Sequence, residues 1–302
     1  MKHLEIHRAD LPARALLLLL AISLAAGAQT LPQQLAAIAA QAKGKVGVAC
    51  QLPGKKLDCA LNSSTRPPMQ SVFKLPLAVT VLHQIEQGRF TLDQPIRFEK
   101  RDRILPETFS PLQDKYPAAD VDVPLRELLH LAASLSDNAA SEVLLRIAGG
   151  PPAVDAYIKS LGVRGFQLKD GEATLHRDHT AQYRNWFQPS AAVKFMRRLA
   201  DHPPLNAAHM QVLRAWITES PTGVNRIKAG LPAGTPFAHK TGTSGTINGL
   251  AAATNDIGLI QLPGGRELAI AIFVTDSRAT LAERESVMAR LAQAIYRAAT
   301  SP

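Results

Sequence analysis

Residues 237–275 read FAHKTGTSGTINGLAAATNDIGLIQLPGGRELAIAIFVT. Three apolar stretches rich in β-branched residues, at 237–243, 249–262 and 267–275, are separated by turn residues, with Pro263-Gly264-Gly265-Arg266 between the last two. Such runs predict strands. The other strand signal is at the opposite end of the chain. After a helix over 31–43, the segments 46–52 and 56–61 flank Pro53-Gly54-Lys55-Lys56 and read as a hairpin.

Between these ends the pattern is helical. A helix starts at Ser71, carries Leu75, Leu77, Val79, Val81, Leu82 and Ile85, and stops near Gly88. Further helices are expected over 124–130, 139–147 (ended by Gly149-Gly150), 190–199 and 207–218. Residues 62–69 are turn-rich, and 102–120, with Pro106, Pro111 and Pro117, read as a long loop. A last helix over 281–298 sets Val287, Met288, Leu291, Ile295 and Tyr296 on one stripe. The expectation is an α+β fold: an antiparallel sheet flanked by helices from both termini, built from 29–66 and 219–302, with an all-α domain inserted at 67–218.

The chain of 302 residues carries net charge +9. Lys2, Arg8 and Arg14 precede or border an apolar run too short to span a bilayer, and Ala26-Gly27-Ala28 supplies a small-residue cleavage site. Residues 1–28 therefore read as a signal peptide, with export to a bacterial periplasm or the medium. Cleavage leaves 31 basic against 23 acidic residues, net +8. The cations are scattered without interleaved aromatics, which argues against nucleic-acid binding and fits an anionic small substrate. No H-x-H-x-D or H-E-x-x-H occurs, and His176 and His179 have no third ligand nearby, so no metal or other cofactor is expected. A monomer is expected.

Counting outward from Pro53 and Lys56 pairs Cys50 with Cys59 at a non-hydrogen-bonded site, where side chains approach closely. In an oxidising compartment that pairing suggests a cross-strand disulfide. The alternative is two buried thiols, since Val46, Val48, Cys50 and Leu52 share one apolar face.

Three short strings carry the chemistry: Ser71-Val72-Phe73-Lys74, Ser136-Asp137-Asn138 and Lys240-Thr241-Gly242. A serine hydroxyl is a weak nucleophile until a neighbour takes its proton, and a Lys three residues on shares its helix face. A second Ser can relay a proton to a leaving amine, and a Lys-Thr pair on a strand edge can hold an anion. The strings match the S-x-x-K, S-D-N and K-T-G signatures of penicillin-recognising serine enzymes. S-D-N and K-T-G each arise by chance in only a few per cent of chains of about this length, so their ordered coincidence is informative.

Over nearly all of its mature length the chain resembles class A serine β-lactamases, and within them the PER-type and VEB-type extended-spectrum subgroup. The resemblance rests on residues 68–74 (PMQSVFK), 182–186 (QYRNW), 239–245 (HKTGTSG) and 252–256 (AATND). It implies Ser71 as nucleophile, Lys74 as its proton partner, Ser136 as proton shuttle, and the N–H groups of Ser71 and Thr243 as the oxyanion hole. Asn138 would grip the acylamide carbonyl. Lys240, Thr241, Gly242, Thr243, Ser244 and Arg226 would surround the substrate carboxylate, and Phe109 would stand at the cavity mouth. Arg226 and Phe109 also admit blander readings, a surface arginine and a buried loop anchor.

Glu172, in Asp170-Gly171-Glu172-Ala173-Thr174-Leu175-His176, is the implied base that activates water against the acyl-enzyme. Two departures from the wider class stand beside it. His176 replaces an Asn that helps hold the water, and Asp170 replaces an Arg that pins the loop through an ion pair, so that pair is expected to be missing and the loop to fold differently. A D-alanyl-D-alanine peptidase or a non-hydrolysing β-lactam sensor would share the three strings but normally lack Glu172.

Overall fold

The computed structural model describes residues 29–301; the expected signal peptide and its cleavage site lie outside the described residues. In chain order the elements are α1 (Leu31–Ala39), β1 (Lys45–Gln51), α2 (Lys74–Glu86), β2 (Pro95–Phe98), α3 (Pro111–Lys115), β3 (Val121–Pro124), α4 (Leu125–His130), α5 (Asn138–Ala148) and α6 (Pro151–Ser160). They continue with β4 (Phe166–Gln167), α7 (Glu172–Arg177), β5 (Trp186–Phe187), α8 (Pro189–Asp201), α9 (Ala207–Thr218), β6 (Phe237–Thr243), β7 (Thr246–Ile247), β8 (Leu250–Gln261), β9 (Glu267–Ser277) and α10 (Leu281–Thr300).

Strands from the two ends of the chain form one antiparallel sheet of order β1-β9-β8-β6, with β7 paired to β8. Both faces of β9 are buried, which is why it reads as a continuous apolar run. Leu268, Ile270, Ile272 and Val274 pack with α1 and α10 through Leu35, Ala39, Met288, Leu291 and Ile295. Ala269, Ala271 and Phe273 belong to the core on the other side, with Phe195 and Met196 of α8. Helix α10 starts at a capping box in which Glu283 N donates to Thr280 Oγ1 and Thr280 N donates to Glu283 Oε2. Its stripe is buried except for Tyr296, which is only half-buried.

Three sequence expectations change. The 67–218 insertion is not purely helical: it holds the ribbons β2–β3 and β4–β5, whose strands of four and two residues are too short to show a period of two. Helix α8, expected inside that insertion, lies on the sheet, where Arg197 Nη1 donates to Glu267 O at 2.7 Å. The 102–120 loop contains α3, started by Pro111 after the Ser110 cap.

The hairpin also differs. Its turn closes one residue earlier, with Leu52 opposite Lys55, and 56–60 form no ladder. Val48 and Leu61 exchange both backbone hydrogen bonds, so Cys50 and Cys59, two residues on in each chain, fall in the phase of the hydrogen-bonded sites. The two cysteines nevertheless form a disulfide, with Cα atoms 5.9 Å apart.

Candidate active site

Ser71 sits in a 3₁₀ turn, Gln70–Phe73, that runs directly into α2. Helical starts leave N–H groups without intrahelical acceptors, which suits a nucleophile whose own N–H faces a developing oxyanion. The turn is placed from both sides. Gln70 adopts φ +48°, and Met69 N donates to Asn185 O at 3.0 Å. The buried Asn255 of β8 donates from Nδ2 to the carbonyls of Pro68 (2.8 Å) and Met69 (3.2 Å). Strand β6 packs so closely that a Cβ on Gly242 would lie 2.3 Å from Met69 O. The glycine of Lys-Thr-Gly is thus a steric requirement for bringing β6 against the nucleophile.

Lys74 is fully buried at the first position of α2, three residues after Ser71. As an ammonium it has three protons and three acceptors: Ser136 O at 2.8 Å, Asn138 Oδ1, and Glu172 Oε1 at 3.0 Å. The Ser71 hydroxyl points to Glu172 Oε1, 3.5 Å away, rather than to Lys74. Glu172 opens α7 and is itself buried. Burial raises its carboxyl, but Lys74 and then His176 outweigh burial and lower it from the ordinary 4.5 to about 2. Glu172 is therefore an ionised base beside the nucleophile. His176 Nε2 is 3.5 Å from Glu172 Oε2 and has no hydrogen-bond partner among the described residues.

Ser136 ends the π turn Leu131–Leu135 that follows α4, with φ +64°, and its Oγ accepts from Lys240 Nζ at 2.9 Å. Burial, reinforced by the charge of Lys74, pushes the Lys240 ammonium well below the ordinary lysine range. The Thr241 hydroxyl donates to Thr222 Oγ1 at 2.9 Å. Arg226 is buried, not a surface arginine: Nη1 donates to Asn255 O (2.9 Å), Nη2 to Thr243 Oγ1 (2.7 Å), and Nε to Glu285 Oε1 (3.1 Å). A cleft of about 360 Å³ brings Ser71, Ser136, Asn138 and Arg226 together with Thr241, Gly242 and Thr243. Phe109 is exposed at this cleft and is no buried anchor. Ser244 is not brought in; its Oγ is spent on backbone carbonyls of Gly245 and Ala253. A larger cavity of about 480 Å³ lies away from Ser71, between the edge strand β1 and Tyr183.

A family model described as the β-lactamase enzyme family matches residues 30–299. The chain belongs to that family. It is 39% identical over 266 residues to the extended-spectrum β-lactamase PER-1 of Pseudomonas aeruginosa, covering 88% of this chain and 86% of the relative. It is 34% identical to β-lactamase VEB-1 of the same organism, covering 82% and 83%. The crystal structure of a β-lactamase from Chitinophaga pinensis superposes with a TM-score of 0.85 at 40% identity, covering 89% of this chain and 99% of that one. The structural neighbours place it among class A β-lactamases.

In this β-lactamase the loop that carries Glu172 is pinned by residues that sequence reading missed or misjudged. The expected absence of an ion pair at Asp170 is corrected: its carboxylate takes a two-point contact from Arg184, at 2.8 and 2.9 Å. The buried Asn185 accepts from Lys169 N and Asp170 N and donates to Asp170 O. Glu142, one turn after Asn138 on α5, accepts from Ala173 N at 3.2 Å. It crowds Gly171 so closely that a Cβ there would lie 2.4 Å from its Oε1. Burial raises the Glu142 carboxyl, and Glu172 adds to that. Asp137, the middle residue of Ser-Asp-Asn, is structural. Its Oδ1 accepts from Ala140 N as the α5 cap and from Ser110 Oγ, and its Oδ2 from Leu112 N. An Asp directly before a helix was the available signal.

Proposed function

We propose that this class A β-lactamase opens the β-lactam ring through a Ser71 acyl-enzyme and clears that ester with water activated by Glu172. The observation that carries the reading is a buried, ionised Glu172 held 3.0 Å from Lys74 and 3.5 Å from Ser71 Oγ. Ser71 Oγ attacks the carbonyl carbon while its proton passes to the Glu172 carboxylate. The oxyanion is met by the N–H groups of Ser71 and Thr243. As the C–N bond breaks, Ser136 gives its proton to the departing nitrogen and is reprotonated from Lys240, whose lowered affinity for its proton suits that donation; proton exchange with solvent then recharges Lys240 and returns Glu172 to its carboxylate. Water then attacks the ester carbonyl as Glu172 takes its proton, and as the ester C–O bond breaks Glu172 returns that proton to Ser71 Oγ, releasing the ring-opened acid.

Asn138 holds the acylamide carbonyl in this scheme, and Lys240, Thr241 and Thr243, backed by Arg226, hold the carboxylate, with Phe109 at the mouth and His176 beside Glu172. Residues 29–66 and 219–302, with α8 laid on their sheet, supply the α/β part and the rest of 67–218 the mainly helical part, and the cleft lies where they meet. No helix among the described residues is long and apolar enough to cross a membrane. The signal peptide read at residues 1–28 would direct the protein to the periplasm, where we take it to act as a monomer. The test is turnover of a chromogenic cephalosporin followed beside intact-protein mass. Wild type should turn over many equivalents, Glu172→Ala should accumulate one covalent adduct, and Ser71→Ala should form none. A wild type that takes up one equivalent and stops would refute hydrolysis and favour a sensor or peptidase.

A further inference from the structure

A second pocket, of about 350 Å³, opens between the 100–106 segment and α7. Its apolar wall is Ile104, Leu105, Pro106 and Ala173, and the polar groups that face it are all cations: Lys100, Arg103 and Arg177. Lys100 Nζ has Asp120 at 3.2 Å. Among the described residues, Arg103 and Arg177 have neither a carboxylate within 4 Å nor a side-chain hydrogen bond. The acids around them are engaged elsewhere: Glu99 and Asp102 with Arg146, Asp170 and Asp178 with Arg184. Glu107, exposed just beyond Pro106, pairs with none of the three.

We infer that this pocket is an anion site, taking a carboxylate or phosphate group between the Arg103 and Arg177 guanidiniums. Arg103 and Arg177, both exposed, line one concavity with no carboxylate to answer them, and their planar forks suit carboxylate and phosphate oxygens. The site is coupled to catalysis by position. On α7, Glu172 meets Lys74 and has His176 beside it, while Ala173 and Arg177, each one residue further on, line this pocket. The segment from Pro106 to Phe109 links it to the mouth of the catalytic cleft. The anion has two possible sources: a carboxylate at the far end of a β-lactam's acyl side chain, or free inorganic phosphate. Only the first rests on the proposed hydrolysis.

The experiment compares wild type with Arg103→Gln/Arg177→Gln, using two cephalosporins identical except for a side-chain carboxylate or its methyl ester. If the substrate supplies the anion, wild type should show a KM roughly fivefold to tenfold lower for the carboxylate, as expected of an Arg–carboxylate contact. The double variant should lose that preference while turning over the ester within about twofold of wild type. If the anion is free, inorganic phosphate at constant ionic strength should raise the melting temperature of wild type and not of the variant, with no substrate preference. Equal KM values for the two compounds together with no phosphate effect would overturn the site. Should the double variant fold poorly, Arg103→Gln alone reads the same preference at about half the effect. A chain that hydrolysed neither compound but still answered to phosphate would refute the proposed function and leave the site standing.

Discussion

Replacing Lys74 by Met tests the electrostatic core of the site, because it removes the charge that keeps Glu172 ionised while roughly conserving volume. The drop in the Glu172 carboxyl from 4.5 to about 2 corresponds to roughly 3 kcal/mol of preference for the carboxylate. Because the folded value is depressed, that stability is present above pH 4.5 and is lost as the pH falls from there towards 2. Without Lys74, burial becomes the dominant influence on Glu172. Breaking a buried pair of this kind costs about 3–5 kcal/mol, and in a chain of this size that lowers the melting temperature by roughly 10 °C. Glu172 should also protonate at least about two pH units higher.

Acylation is slowed in such a variant for other reasons, so the decisive quantity is decay of preformed acyl-enzyme, followed by intact mass across pH 4–8. Wild type should decay at a rate nearly flat down to pH 4, and Lys74→Met should show a falling acid limb inside that window. Adding Glu172→Gln to Lys74→Met should recover part of the lost stability, since no buried charge is then left alone. A Lys74→Met profile as flat as wild type, or a double variant that simply sums two losses, would refute the pairing of Lys74 with Glu172.

Other outcomes follow from single contacts. Gly242→Ala puts a Cβ 2.3 Å from Met69 O, so β6 must move off the Ser71 turn. Turnover should fall about a hundredfold or more for a stability loss of roughly 1–3 kcal/mol, read by kinetics beside a thermal melt. Glu142→Gln keeps an acceptor for Ala173 N and removes a buried charge beside Glu172. Since the folded Glu142 carboxyl is raised, wild type's relative advantage is full below its unfolded value and is lost as pH rises through the folded one. The variant should therefore melt at or above wild type near pH 7.5, with its advantage vanishing below about pH 4.5. Cys50→Ser/Cys59→Ser opens a cross-link spanning a sequence separation of 9 and should cost roughly 2–3 kcal/mol with kcat unchanged; two thiols freely alkylated in native protein would contradict the bridge.

What was legible in the sequence is what depends on period or on fixed local spacing. The 237–275 strands, the α10 stripe and the Ser71/Lys74 face follow from side-chain repeats of two and 3.6. The supports of Glu172 depend on pairings that no local pattern encodes. Asp170 meets Arg184 across 14 residues, and Glu142 meets Ala173 across 31. A Glu on α5 looks like any solvated helix residue until α7 is laid over it. The β2–β3 ribbon escaped notice because four residues containing a Pro carry too little alternation to register.

Asp170 shows how a substitution that reads as a loss turns out to conserve the interaction. Against the wider class, an acid in place of an Arg predicts a loop released from its anchor. In the fold, Arg184 supplies the opposite charge, so the pair persists with its polarity reversed. Arg184 is half exposed, so this contact alone is worth only about 0–1 kcal/mol. The heavier constraint is the buried Asn185, which satisfies two N–H groups and one carbonyl of the loop and, through its own carbonyl, holds Met69 just before the nucleophile. One residue therefore ties the segment bearing the base to the segment bearing Ser71. Asn185→Ala leaves three part-buried backbone groups without their partner, at about 1 kcal/mol each where water cannot replace it. It should harm deacylation far more than Arg184→Ala does, and comparing the two decay rates of the same acyl-enzyme decides whether the ion pair or the amide holds Glu172 in place.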